Sequence, residues 1–340
     1  MQEFDNNKVP IKKLWQVIMA SSVGTVIEWY DFYIFGSLSA IISVSFFPKE
    51  DPTAAFISTL AAFGAGFVAR PFGGVLFGRL GDLIGRKYTF LLTLLLMGGS
   101  TFAIAFIPSY EKIGLVAPAI LLVLRIIQGL ALGGEYGGAA TYVAEYAPDA
   151  ERGKYTSYIQ TTATLGFFVS ILVILVTQQV MGDAAFKDWG WRVPFALSGI
   201  LVVVSYFIRR NMDESPLFSK LKAEGRLSEN PLKEAFASKA NRRLMLIAMF
   251  GAIVGQGVVW HTGQFYAQIF INKILQVDFI TTNLIIAASL VVGTPLFVYF
   301  GSLSDRVGRK KVMLGGMALA ALGYYPLFSW MATIVSEEGT

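Results

Sequence analysis

The chain has 340 residues, 54% of them hydrophobic and 14% aromatic but only 15% charged, against about a quarter charged in ordinary soluble domains, so a soluble globular protein is excluded. With no cysteine and a single histidine, His261, disulfides, thiolate or imidazole-cluster metal sites, cysteine nucleophiles and histidine triads are removed, and no catalytic residue, metal or cofactor is expected. The net charge of +5 comes from basic residues placed between apolar blocks, where they set membrane topology and give no reason to expect nucleic acid.

About 20 apolar residues are needed to cross a hydrocarbon core of about 30 Å. Nine such blocks occur, at roughly 15–47, 54–77, 88–107, 115–147, 155–181, 192–210, 243–271, 279–300 and 312–334. The charged N-terminus leads into a block too long for a signal-peptide core, with no small-residue cleavage site after it, so the first segment is expected to be retained. Glu28 and Asp31 lie three apart in the first block and share a helix face. Arg70, beside Pro71, stands in the second. In the fourth, Arg125, Gln128, Leu132 and Glu135 step by three, four and three along one stripe. Gly129, Gly133, Gly134, Gly137 and Gly138 recur four apart in the same block, the spacing for close backbone approach between membrane helices. The polar stretch 211–242 reads as a linker with one or two short amphipathic helices. In the seventh block His261, Gln264 and Gln268 form a stripe, with Gln256, Trp260 and Tyr266 nearby.

Placing the N-terminus in the cytoplasm puts 21 of the 28 Lys and Arg on that side, Lys8, Arg86, Arg152, Arg309 and all nine of segment 209–243 among them. The other side receives Lys49, Lys112, Lys187 and Lys273. That asymmetry predicts an N-in protein. Five charges stand out deep inside blocks, away from their ends: Glu28, Asp31, Arg70, Arg125 and Glu135. Each costs a few kcal/mol in hydrocarbon, which marks it as a functional candidate. The two polar stripes invite pairing across a cavity; charges that neutralise each other to fix helix packing are the plainer reading.

An internal repeat is the strongest signal. GRLGDLIGRK, Gly78 to Lys87, follows the second block, and GSLSDRVGRK, Gly301 to Lys310, follows the eighth, with six identities at the same offsets. Two copies of a six-span unit are expected. In each copy the glycines allow a tight turn between helix ends, while the acid and bases can cap termini and latch the cytoplasmic rim.

The repeated loop resembles that of the major facilitator superfamily. Gly129, Gly133, Tyr142, Glu145 and Arg152 fall at the spacings of the sugar-porter fourth-span signature, and DESPLF, Asp213 to Phe218, looks like the motif after the sixth span of the same relatives. EWYDFY at Glu28, ARPFGG at Ala69, GGEYGGA at Gly133 and DWGWRVPF at Asp188 are together similar to the metabolite:proton symporter family, whose members carry proline and betaine, shikimate, α-ketoglutarate or citrate with protons. The resemblance implies an all-α membrane protein with a six-span N-terminal bundle (1–210), a cytoplasmic linker (211–242) and the first three spans of a C-terminal bundle (243–340). Members have twelve spans, so a truncated product or partial sequence is expected.

The resemblance also implies roles. Asp31 opposite Arg125, in RIIQG, would couple the proton, with Glu28 and Glu135 as alternative carriers. Substrate contacts would come from Arg125, Gln128, Gln160 (after Gly153, Lys154 and Ser157), Gln256, His261, Gln264 and Tyr266. Gating would use Asp82, Arg86, Glu145, Arg152, Asp305 and Arg309. The expected function is proton-coupled symport of a small organic anion or zwitterion by alternating access, carried out by a monomer in the bacterial inner membrane. A transporter-like substrate sensor or scaffold, a channel and a sugar:proton symporter are the competing readings.

Overall fold

The structure, a computed structural model, describes residues 10–210, 214, 216–225 and 231–338; Lys8 and the Asp213 of DESPLF lie outside the described residues. All regular structure among them is helical. Twelve helices carry the fold: α1 (Ile11–Ser37), α2 (Ser39–Phe46), α3 (Pro52–Ile84), α4 (Arg86–Ile104), α5 (Val116–Tyr146), α6 (Arg152–Met181), α7 (Arg192–Arg210), α8 (Pro216–Ala223), α9 (Pro231–Ala237), α10 (Lys239–Ile274), α11 (Phe279–Val307) and α12 (Arg309–Glu338). Eight of these, α3 to α7 and α10 to α12, are long and apolar enough to cross a membrane by length and composition. The 27-residue α1 is not among them; Glu28, Asp31 and three aromatic residues with polar edges, Trp29, Tyr30 and Tyr33, lower its hydropathy.

Local chemistry sets the helix ends. The Asp51 carboxylate accepts from the amides of Thr53 and Ala54 at 3.0 Å, with Pro52 at the first helical position, a strong N-terminal pairing. The expected loops of the repeat are corrected. α3 continues through Gly78–Ile84, and the chain leaves the helix only at Gly85, φ 104°. In the second copy α11 continues to Val307 and breaks only at Gly308, φ 105°. Both glycines hold a backbone conformation that L side chains rarely adopt, so each repeat is a pair of helix ends hinged on one residue. The first block is also split, at Leu38, into α1 and α2.

The chain forms two compact units, Met1–Pro231 and Leu232–Thr340. In the first, α3 packs on α5, α1 on α6 and α7, and α4 on α5 and α7. The α3/α5 crossing is a glycine seam: a Cβ on Gly73 would enter the Leu130 backbone, one on Gly129 the Gly66 backbone, and one on Gly133 the Arg70 backbone. Gly137, expected to belong to that seam, faces open space, because the two helices have diverged by that turn. At the N-terminal end of α1, Leu14, Val17 and Ile18 pack with Tyr142, Val143, Tyr146 and Ile159.

In the second unit α10 contains three π-type turns, Met249–Ile253, Thr262–Tyr266 and Phe270–Ile274. Such turns rotate the residues beyond them, so the helical stripe drawn through His261, Gln264 and Gln268 does not run straight. Gln268 donates to the Asn283 side chain of α11 at 2.8 Å, and the Tyr324 hydroxyl of α12 donates to the Val259 carbonyl at 2.5 Å.

Candidate functional site

Two polar clusters occupy the interior of the first unit. The first is built on aromatic rings. Arg125 on α5 is fully buried, its guanidinium carbon 4.1 Å from the Phe35 centroid, 4.8 Å from Phe32 and 5.0 Å from Phe63. Arg70 on α3 stands 4.3 Å from the same Phe32 and 4.1 Å from Phe67. Ring faces stabilise a desolvated guanidinium by up to about 2 kcal/mol each. They take no hydrogen bond through the N–H fork, and Nε and Nη2 of both arginines are buried without a hydrogen-bond partner. Arg125 Nη1 donates to Gln128 Oε1 at 2.6 Å, and Gln128 Nε2 donates to the Thr101 hydroxyl at 2.6 Å.

Asp31 does not meet Arg125 in an ion pair. Its carboxylate accepts from the Ser198 hydroxyl of α7 at 2.5 Å and lies beside the Thr101 hydroxyl of α4. The acid and the arginine are therefore joined only at second hand, through Thr101 and Gln128. Gly98 opposes Asp31 closely, since a Cβ there would stand 3.3 Å from Oδ2.

The second cluster was not legible as such. It centres on Arg209, which stands at the end of the sixth apolar block among the basic residues of segment 209–243, and which the structure buries to 3% exposure at the end of α7. Its Nη2 pairs with Glu28 of α1 at 2.8 Å and with Glu135 of α5, while Nη1 donates to the Phe90 carbonyl of α4 at 3.0 Å. Thr93 of α4 donates to Glu135 at 2.7 Å. The signal was present in the spacing of Ser198, Ser205 and Arg209, seven and four apart, which are all buried. Glu28 and Asp31 share a helix face as expected, and both look toward α7, yet they serve different clusters.

At the Gly85 end, Arg86 lies 3.3 Å from Glu145. The Glu214 carboxylate accepts from the amides of Arg86 at 3.0 Å and Lys87 at 3.3 Å, capping α4. Arg152, assigned to the same network, is turned to Asp149 at 2.7 Å, and Asp82 is exposed on the last turn of α3. In the second copy Asp305 lies 3.5 Å from Arg309. At the opposite end of the unit a cavity of about 690 Å³ is lined by Lys49, Lys112, Lys187 and Arg192 with Glu111 and Asp188. There the Lys49 ammonium, 2.5 Å from Glu111, holds that carboxyl below its usual range.

The remaining candidates are dispersed. Gln160 is half-buried on α6, while Gln256 and Tyr266 are exposed on the second unit and His261 and Gln264 half-buried there. The Nδ1 of His261 lies 2.8 Å from the Gly257 carbonyl of its own helix, and Tyr266 packs edge-on to Phe328.

Comparison with known proteins fits this architecture. Residues 16–228 match the sugar (and other) transporter family. The alpha-ketoglutarate permease of Escherichia coli strain K12 is 36% identical over 328 residues, covering 96% of this chain and 73% of that protein. The proline/betaine transporter of the same strain is 36% identical over 320 residues, covering 91% of this chain and 63% of that protein. A solved structure of the major facilitator superfamily proton:xylose symporter XylE superposes with a TM-score of 0.65 at 19% identity, over 88% of this chain and 70% of its own. The partially occluded, inward-open xylose transporter of E. coli gives 0.64 at 19% identity, over 95% and 88%. At that identity the likeness speaks for the fold alone, and the expected fold is borne out. The chain belongs to the sugar (and other) transporter family and is a multi-pass membrane transporter.

Proposed function

We propose that the protein carries a small organic acid or zwitterion across the bacterial inner membrane in symport with a proton, by alternating access, with its N-terminus in the cytoplasm. The observation that carries this reading is the pair Arg70 and Arg125: two cations around one ring, Phe32, with unsatisfied N–H donors in a buried site. A carboxylate fits such a fork, because two parallel charge-assisted hydrogen bonds satisfy it and its charge offsets the guanidinium. Alpha-ketoglutarate, proline and betaine, which name the cargo of the relatives, all carry a carboxylate. A neutral sugar would leave both arginines uncompensated, and the sugar reading is set aside on that ground. The proton is assigned to the acids beside this site, Glu28, Asp31 and Glu135, since a buried charge that comes and goes with the cargo supplies the linkage symport needs.

The test is uptake of labelled α-ketoglutarate, proline, betaine and xylose into membrane vesicles, with and without an imposed pH gradient. A carboxylate-bearing compound is expected to accumulate only with the gradient. Gradient-driven uptake of xylose, with none of the carboxylates competing, would overturn the reading.

A further inference from the structure

The two carboxylates of Glu28 and Glu135 meet on one nitrogen of Arg209, and their carboxyl groups are within hydrogen-bonding reach of each other. All three residues are nearly inaccessible, at 1%, 2% and 3% exposure. With both acids ionised the cluster holds two negative charges against one positive. Like charges in contact in a medium of low dielectric constant cost several kcal/mol, and one proton brings the cluster to neutrality. The structure also shows where that proton fits. Glu28 Oε2 is a buried carboxylate oxygen without a hydrogen bond, whereas both Glu135 oxygens are engaged, by Arg209 and by Thr93. A protonated Glu28 would turn the unpaired acceptor into a donor aimed at its neighbour.

The other charges on the packed elements face away from this cluster. α1 adds Asp31, which faces Ser198 and Thr101. α5 adds Arg125, which faces Gln128 and the phenylalanine cage. α3 adds Arg70, which faces Phe32 and Phe67. α4 contributes only the Thr93 hydroxyl and the Phe90 carbonyl. The charged residues of α6, Arg152 and Lys154, pair with Asp149 and Glu151. Among the described residues Arg209 is thus the one cation of the cluster.

We infer that Glu28 and Glu135 share one exchangeable proton across Arg209, and that this cluster is the proton-binding site of the transporter. The inference rests on the symport reading above and narrows it, moving the proton from the Asp31 position to a site that joins α1, α4, α5 and α7. Four helices held by one cluster give the proton a mechanical grip: ionising the shared pair changes the balance at a junction where all four meet, so loading and release are tied to the shape of the whole unit. The proton is taken from water and returned to water unchanged, and no other reactant enters.

The experiment uses the protein in proteoliposomes with labelled α-ketoglutarate, comparing wild type, Glu28→Gln, Glu135→Gln and Asp31→Asn. Two quantities are read for each: accumulation driven by a pH gradient, and exchange between equal pools. The ratio of accumulation to exchange is expected to fall at least about tenfold in Glu28→Gln and in Glu135→Gln, the usual size of a coupling between two bound ligands. A purely structural brace would lower both rates together and leave the ratio unchanged, and that result overturns the inference. So does a ratio that falls in Asp31→Asn alone. The second readout is infrared absorption of the protein in lipid discs, where a protonated carboxyl band should be present in wild type and absent from both glutamine variants. If wild-type accumulation ignores the pH gradient, the symport reading fails, and the infrared band still decides whether the cluster holds a proton.

Discussion

Arg209 Nη2 and Glu28 Oε1 stand 2.8 Å apart although 181 residues separate them in the chain. Breaking a buried ion pair by removing one partner leaves an uncompensated charge and costs about 3 to 5 kcal/mol. Arg209→Gln, which strands two acids, is therefore expected to lower the thermal stability of the purified protein far more than Arg209→Lys, which keeps the charge but loses the fork. Equal unfolding temperatures for Arg209→Gln and wild type would remove the pair from the list of stabilising contacts.

The arginine fork also governs cargo affinity. Arg125→Ala should weaken binding of a carboxylate cargo by about 30-fold or more, since truncating one member of a buried charge pair costs about 2 to 5 kcal/mol. Arg125→Lys should recover part of it, because an ammonium restores the charge without the bidentate geometry. Equilibrium binding of labelled α-ketoglutarate to the protein in lipid discs reads both, and unchanged affinity in Arg125→Ala would exclude the arginine from the site.

Helix crossing gives a sharper contrast. Gly129→Ala would drive a methyl group into the Gly66 backbone, whereas Gly137→Ala meets nothing within 4 Å. Overpacking of this kind costs about 1 to 3 kcal/mol, and more when backbone must move. Folded yield and unfolding temperature should drop for the first and hold for the second. Equal behaviour would mean that the α3/α5 seam is not as tight as the structure has it.

Orientation is open to direct labelling in a chain that has no cysteine. A single cysteine at Lys112 should react with an impermeant reagent added outside intact cells, and one at Ser302 should not, if the basic-residue asymmetry sets the topology. The reverse pattern would invert the protein in the membrane.

Much of this organisation can be read in the sequence. Apolar blocks and the registered repeat point to the spans and the superfamily, because span length and a duplicated motif are properties of contiguous residues. Helix ends are less legible: GRLGD reads as loop by composition, yet the backbone needs only Gly85 or Gly308 to break. The stripe Arg125, Gln128, Leu132 and Glu135 can be seen in advance, and all four are buried. Their partners cannot. Asp31 and Arg125 look complementary on paper, but which acid meets which base depends on helix rotation, and the Thr101 hydroxyl and the Gln128 amide link the two in place of an ion pair. Arg209 escapes for a different reason: at the end of an apolar block and beside Arg210 it has the composition of a boundary residue, and although its spacing from Ser198 and Ser205 puts the three on one face, only the packing of α7 shows that this face turns inward.

The separation of Glu28 from its cation has a bearing on biogenesis. Translation adds about 5 to 20 residues per second, so α1 waits roughly 10 to 40 s at that pace before Arg209 has been made. During that interval the helix carrying Glu28 and Asp31, which hydropathy alone does not qualify as a span, has no partner for either acid on α7. Its early residence in the membrane must depend on shelter by the insertion machinery or on acids that enter in neutral form. Arrival of α7 would then fasten the first helix after the fact. Synthesis halted before residue 192 should leave α1 easier to extract from the membrane, or to slip back across it, than synthesis carried beyond residue 210.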